Sequence, residues 1–393
     1  MVGKVSVTTL KTNVLVTNCK KKWPLQANDG APINFAQIMN VNDYDVIIVG
    51  QGIAGTWLSY YLLQQQQRVL VIDDAQVNTA SRVASGVINP VTGRQVVTTW
   101  LADTLLPHAR VAYTDMGNML GTLLLNDKGI VAFPPSEQIQ QAYQAKFTAT
   151  PSYVTPVDEC DIYASWFHFK YGAVQIQPAF LLHLPAMLTG WRTYLAAQNA
   201  LLPAAFHEND LVLTANGVEY QTYKAKYLIY ANGVATGSSK YWQALPFSYN
   251  KGEALIAAIP ALTQERIFKF GITTLVPWRD GLWWVGSTYD NRFTDVLPSS
   301  NFRIQMEAAL RQILKLPFTI TDHIAAIRPA TVERRPFVGM HPTIPQIGIF
   351  NGMGTKGCSL APYFGAQLAQ HLINGTPLLP QVDVQRFRKT LER

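Results

Sequence analysis

Apolar residues along this chain follow two rhythms. Short runs rich in β-branched residues, such as Asp45–Val49 (DVIIV) and the core of Arg68–Asp74 (RVLVIDD), have the composition of strands buried on both faces of a parallel sheet. Tyr227–Gly233 (YLIYANG) and Gln346–Gly352 (QIGIFNG) read as further strands, each running into a glycine. Longer mixed stretches predict helices: Thr56–Gln67, Leu101–Leu125 with a break near Pro107, and Leu360–Gly375 closed by Asn374–Gly375. Asp280–Asp290 (DGLWWVGSTYD) is turn-bounded and β-rich, as in a meander. No internal repeat is visible, and no low-complexity run beyond Gln64–Gln67.

Two strand-to-helix joints carry the same glycine spacing. Gly50–Gly55 reads GQGIAG, and Gly352–Gly357, within Asn351–Gly357 (NGMGTKG), repeats the pattern. The first lies in a complete β–turn–α–β unit that ends in Asp73, 23 positions after its first glycine. There Gly50 permits the tight turn, Gly52 lets the backbone approach a pyrophosphate, and Gly55 lets helix pack on strand. The helix start offers unpaired N–H groups and a positive dipole end, and Asp73 can accept hydrogen bonds from a ribose diol. The second joint has no following strand and no terminal acid, so it is not a second dinucleotide site. It still presents backbone donors to something anionic, or else is simply a glycine-capped helix start.

Length and composition narrow the classes. At 393 residues, two domains are expected, and 48 % hydrophobic with 15 % charged residues suits a globular protein with a large core. No apolar run is long enough to span a membrane. Cys19, Cys160 and Cys358 are too few and too scattered for a disulfide framework, which fits a reducing, cytoplasmic setting. The net charge of +7 is concentrated at the start, where residues 1–38 hold five lysines against Asp29; about +3 remains for the other 355 residues. No basic stripe interleaved with aromatics appears, so stable nucleic-acid binding is not expected. Residues 1–42 read as an extension, disordered or misassigned or else a short docked tail, with the fold starting near Val41.

Between the two glycine joints the order of motifs resembles the FAD-dependent oxidoreductases of the D-amino-acid-oxidase family, which includes glycine oxidase and monomeric sarcosine oxidase. The resemblance runs from about Tyr44 to Gly375. It rests on the Gly50–Asp73 unit, Ala80–Pro90 (ASRVASGVINP), Gly172–Leu182 (GAVQIQPAFLL, like a segment whose proline opens a helix), Tyr227–Gly233, Thr273–Thr288, Ala325–Gly339 (AAIRPATVERRPFVG) and Gly352–Gly357. The chain departs from the family at VQIQP before Pro178, at Lys251–Leu255 (KGEAL) and in the basic INPVTGRQ run, departures that bear on substrate more than on cofactor.

The resemblance implies a mixed α/β fold: a Rossmann-like FAD domain in pieces at about 43–100, 170–242 and 324–393, and a smaller antiparallel-sheet substrate domain at 101–169 and 243–323. It implies non-covalent FAD held by Gly50, Gly52, Ile53, Ala54, Gly55, Asp73 and Asp74; by Ser81, Arg82, Ala84, Ser85 and Gly86; by Ala231, Asn232 and Gly233; and by Gly352, Gly354, Thr355, Lys356 and Gly357. The second loop would then serve the N1–C2=O edge of the flavin, with Lys356 either near that edge or pointing to solvent. Cys358 matches no covalent-attachment motif and reads as a small residue at a helix start.

The implied reaction is oxidation of a small amine or amino acid by hydride transfer from carbon to flavin N5. Arg328, in the Arg-Pro segment, would anchor the substrate carboxylate with a two-bond fork; pairing with Glu333 is the structural alternative. Arg334 and Arg335 read as surface or interdomain charges. The seven histidines lack ligand spacing, so no metal is expected. Two other readings stay open: oxidation of an aminoalkyl group on a modified tRNA base, and a flavin-binding module without turnover.

Overall fold

The buried, β-branched runs become the centre of a parallel sheet in the computed structural model, which describes residues 42–149, 152–262 and 266–392. The expectations for residues 1–41 lie outside the described residues. Asp43–Val49 (β1) is followed by the helix Ile53–Gln64 (α1) and Val69–Ile72 (β2). β1 pairs in parallel with β2 on one side and with Tyr223–Tyr230 on the other. Leu201–Leu202 extends the sheet beyond β2, and Ile347–Asn351 extends it beyond Tyr223–Tyr230.

Alternate residues of β1 point into different cores. Val46 and Ile48 pack with Trp57, Trp191 and Phe364 under the helices, whereas Ile47 and Val49 pack with Tyr220, Trp242 and Phe337 on the other face. Both faces are covered, which is why these strands are apolar at every position.

A second, eight-stranded sheet runs in the order Thr319–Arg328, Asn250–Ala258, Leu282–Gly286, Thr273–Pro277, Ile267–Phe270, Ile130–Phe133, Val174–Ile176, Val154–Pro156. All of its pairings are antiparallel except Ile267–Phe270 with Ile130–Phe133. The expected meander over Asp280–Asp290 is the hairpin of Thr273–Pro277 with Leu282–Gly286. One face of this sheet packs on the helix Ser300–Ile313 through Phe302, Met306 and Leu310. The opposite face meets the Ala80–Gly86 loop, where the Trp284 indole N–H donates to the Val83 carbonyl at 3.1 Å.

Several local expectations shift. The helix expected to break near Pro107 runs unbroken from Ala102 to Leu120. Proline in its second turn removes one backbone donor, while Leu105, Ala109, Tyr113 and Met116 bury a continuous stripe. That stripe lies in the core around Trp57 rather than with the second sheet. Val174–Ile176 and all of Thr319–Arg328 belong to the second sheet. The proline that opens the helix after this segment is Pro185, in Leu184–Ala197, while Pro178 sits between two strands. Among the described residues no helix is long and apolar enough to cross a membrane.

Candidate active site

At the first turn, Gly50 adopts φ +100°, and a Cβ there would stand 2.7 Å from Asn232 Cα and 2.8 Å from the Ala231 carbonyl oxygen. Only glycine tolerates both the dihedral and the contact. The strand end at Ala231–Gly233 is thereby pressed against the turn, as the Ala231 N–H donation to Val49 O (2.9 Å) also shows. A Cβ on Gly55 would overlap the Gly50 carbonyl, which is how α1 comes so close to β1.

The start of α1 is open to a ligand. Gly52 provides no side-chain cap, and the first-turn N–H groups of Ala54 and Gly55 have no intrahelical acceptor. The Ile53 N–H donates to Ser81 Oγ at 3.0 Å, and a Cβ on Gly52 would be 3.0 Å from that oxygen. Ser81 thus brings the Ala80–Gly86 loop to the helix start. Gly86 (φ +79°) closes the loop, packed against the Leu182 backbone. Arg82, Ala84 and Ser85 lie between them, half-buried.

Asp73 is heavily engaged. Its Oδ2 accepts from the Gln51 N–H at 2.8 Å, and its Oδ1 accepts from the Ala75 N–H at 2.8 Å and from Arg192 Nη1 at 2.7 Å. Arg192 Nη2 also donates to the Asp73 carbonyl at 2.9 Å. Oδ2 keeps lone-pair capacity toward the turn. Asp74, by contrast, is exposed and bonded to Gln76. Arg192 comes from a helix 119 residues away, and no local motif marks it.

The second glycine loop adjoins the first. A Cβ on Gly357 would sit 3.2 Å from Ile53 Cγ2, so the starts of α1 and of the helix Gly357–Asn374 lie side by side. Asn351, 3 % exposed, holds the loop in place: its Nδ2 donates to Gly233 O (2.8 Å) and Thr236 Oγ1 (2.6 Å), and its Oδ1 accepts from the Gly352 N–H (2.7 Å). Gly352 (φ +78°) and Gly354 (φ +54°) need left-handed backbone. The Gly354 N–H donates to Pro329 O at 3.1 Å, tying the loop to the residue after Arg328. Thr355 is exposed and Lys356 half-buried.

Arg328 ends the edge strand of the second sheet and lies across Gly252. Its Nη1 donates to Asn250 Oδ1 (2.8 Å) and Thr288 O (3.0 Å), and its Nη2 donates to Ser287 Oγ (3.0 Å). Every one of these acceptors is neutral. Glu333, the alternative partner, is paired with Arg386 instead, Nε to Oε2 at 3.0 Å. Burial pulls the Arg328 guanidinium below its ordinary value. Two of its five N–H groups remain for a ligand, and the Nδ2 of Asn250, fully buried beside it, has no acceptor.

Lys356 and Lys269 add charge nearby. Burial, and then repulsion from Lys269, bring the Lys356 ammonium down to about 8. Lys269 is also lowered by burial, and its Nζ donates to Gly271 O at 2.7 Å. Cys358 is the second residue of its helix, with its thiol pushed up to about 12 by burial. Arg334 is exposed, whereas Arg335 lies 4.0 Å above the Trp100 ring. Among the described residues no group of three His, Cys, Asp or Glu side chains could hold a metal ion.

The two glycine loops therefore lie side by side. Open helix starts, glycine cradles and an engaged acid at the first loop fit a dinucleotide, and the second loop adds a positive edge between it and Arg328. A family model described as DAO, FAD dependent oxidoreductase, matches residues 45–371. Among solved structures, glycine oxidase from Geobacillus kaustophilus superposes with TM-score 0.69 at 18 % identity, covering 86 % of this chain and 96 % of that one. Iminodiacetate oxidase from Chelativorans sp. BNC1 gives 0.70 at 17 %, covering 86 % and 98 %. L-proline dehydrogenase from P. horikoshii gives 0.68 at 16 %, covering 88 % and 98 %.

Proposed function

This chain belongs to the DAO family of FAD-dependent oxidoreductases, and we propose that it oxidises the C–N bond of a small amino acid or amine. The observation that carries this reading is Arg328: a half-buried guanidinium with only neutral protein partners, beside an Asn250 Nδ2 that has no acceptor. A desolvated cation without a counter-charge is costly, and a bound carboxylate removes that cost. The names of the superposing oxidases and dehydrogenase, which act on glycine, iminodiacetate and proline, support the same substrate class.

In this reading the first loop holds the pyrophosphate of FAD on the N–H groups of Ala54 and Gly55, and Asp73 receives the ribose. Arg192 keeps the Asp73 carboxylate turned toward the turn. FAD, when bound there, would supply the two-electron oxidant for turning the amine into an imine. The protein contributes position and field. Arg328 fixes the carboxylate, and the Gly352–Gly357 loop offers N–H donors and the Lys356 charge to the pyrimidine edge, where negative charge accumulates on reduction. Non-covalent attachment is part of this reading, supported by the burial that raises the Cys358 thiol and disfavours its nucleophilic thiolate. We assign the parallel sheet with its helices, Ala102–Leu120 included, to the cofactor half, and the second sheet, Val174–Ile176 and Thr319–Arg328 included, to the substrate half.

The test is anaerobic mixing of the purified yellow protein with a panel of amino acids and matching amines. Bleaching of the flavin by at least one carboxylate-bearing amine is the expected result. A flavin that stays oxidised across the panel would leave a binding module without turnover.

A further inference from the structure

The second sheet carries a cation that the reaction above does not use. Residues directly opposite in antiparallel strands share a face, and the register links Lys269 to Thr274, Thr274 to Gly286, Gly286 to Ala254, and Ala254 to Ile324. Arg328 lies four residues after Ile324 on the same strand and therefore on the same face. Lys269 and Arg328 both project from this face, the one Trp284 joins to the Ala80–Gly86 loop.

Arg328 reaches across Gly252 to Ser287, the residue just after the strand that ends at Gly286. That strand is two positions from the strand of Lys269, about 10 Å at the usual strand spacing. Thr274 and Gly286 lie between them in the row, and the Trp284 ring lies against Gly286 as the floor of the interval. Lys356 approaches from the second glycine loop, close enough to Lys269 for the two ammonium groups to repel.

No Asp or Glu lies within ion-pairing distance of Arg328, Lys269 or Lys356 among the described residues. Three partly desolvated cations thus stand in one region without an acidic partner, a state that bound anions would relieve. The reduced pyrimidine edge can answer Lys356, and one carboxylate answers Arg328. Lys269 is left over.

We propose that the substrate is a doubly anionic amine, with one carboxylate on Arg328 and a second on Lys269 at the far end of the Thr274–Gly286 row. This rests on the amine-oxidation reading above and narrows it to amino dicarboxylates and their phosphonate-like equivalents. The nitrogen is then held between two fixed ends, so the carbon that loses hydride is positioned from both sides.

The matched probes are iminodiacetate against sarcosine, which differ by one carboxylate, and glutamate against 2-aminobutyrate in both enantiomers. Wild-type enzyme should reduce its flavin with a dicarboxylate at a kcat/KM at least about tenfold above that of its partner. Lys269→Met should abolish that preference while changing the monocarboxylate by less than about threefold, and Lys269→Arg should retain most of it. Succinate should perturb the oxidised flavin spectrum at lower concentration than acetate in wild type but not in Lys269→Met.

Equal rates for both members of each pair in wild type, or an equal loss for both in Lys269→Met with flavin content preserved, overturns the second subsite. If no amine bleaches the flavin, the amine-oxidation reading is what fails. The subsite then stands if succinate outbinds acetate in wild type alone, and falls if it does not.

Discussion

Gly252 carries no side chain because the Arg328 guanidinium occupies the place where its Cβ would stand. The arginine is laid flat on the sheet and locked by Asn250, Thr288 and Ser287, so its fork is aimed before any ligand arrives. Pre-organisation of this kind puts the binding energy into orientation rather than into ordering a long side chain.

Arg328→Ala should lower kcat/KM for the best amino-acid substrate by about 30- to 5000-fold, from about 2–5 kcal/mol for a buried charge left unpartnered. Arg328→Lys should recover only part, since a point charge cannot reproduce two parallel hydrogen bonds. FAD content should stay near wild type. The deciding comparison is the amino acid against the same amine without its carboxylate; equal impairment of both would remove the anchor role. Gly252→Ala should mimic the arginine loss, because the methyl group evicts the guanidinium from its bed.

Asp73→Ala should weaken FAD retention, and Arg192→Ala should do so by about ten- to hundredfold through the loss of one charged hydrogen-bond partner, worth about 1.5–3 kcal/mol. Equilibrium binding of FAD to the apoprotein measures both. Unchanged affinity in Arg192→Ala would mean that the Gln51 and Ala75 N–H groups orient the carboxylate unaided.

Gly354→Val should disturb the flavin ring and spare the adenosine end. Valine is strained at φ +54°, and its Cβ would meet the Ala330 Cβ at 3.3 Å, so the loop must shift and carry its donors away from the pyrimidine edge. A lower reduction potential and sulfite binding weakened by about tenfold are expected, with FAD retained. An unaltered potential would return the loop to a plain helix cap.

Lys356 gives a pH dependence of defined sign. Its folded value, near 8, lies below the 10.5 of the free side chain, so the unfolded chain binds more protons between those limits and the group's contribution to stability rises with pH across that window. Lys356→Met should therefore stabilise the apoprotein at pH 7 and lose that advantage by about pH 10.5. Urea unfolding at the two pH values checks this. Anion binding should show the opposite trend and weaken as pH rises through about 8, where the ammonium is lost.

How much of this was legible in the sequence varied with the range of the interactions. The β1–α1–β2 unit is local, and its glycines, apolar runs and terminal acid all fall within a short stretch, so the sequence reading and the structure agree there. Arg328 was accessible only through resemblance to a family, since an Arg-Pro alone carries no chemistry. Arg192, Asn250 and Lys269 were missed for a common reason. Each enters the site through packing or strand register set by residues far away along the chain, and FKFG around Lys269 shows only strand-like alternation. The supposed break at Pro107 failed because a buried stripe outweighs one lost backbone bond.

The hydrogen bond from Gly354 to Pro329 couples two parts that could otherwise drift separately. It sets a fixed gauge between the loop that would meet the flavin and the arginine that would grip the substrate, like a spacer between two jaws. A change in what the enzyme accepts cannot easily come from moving Arg328, because the cofactor loop would move with it. New substrates would instead be admitted at the proposed second subsite, along the row toward Lys269. Diversification of this scaffold is thereby steered to one side of the pocket.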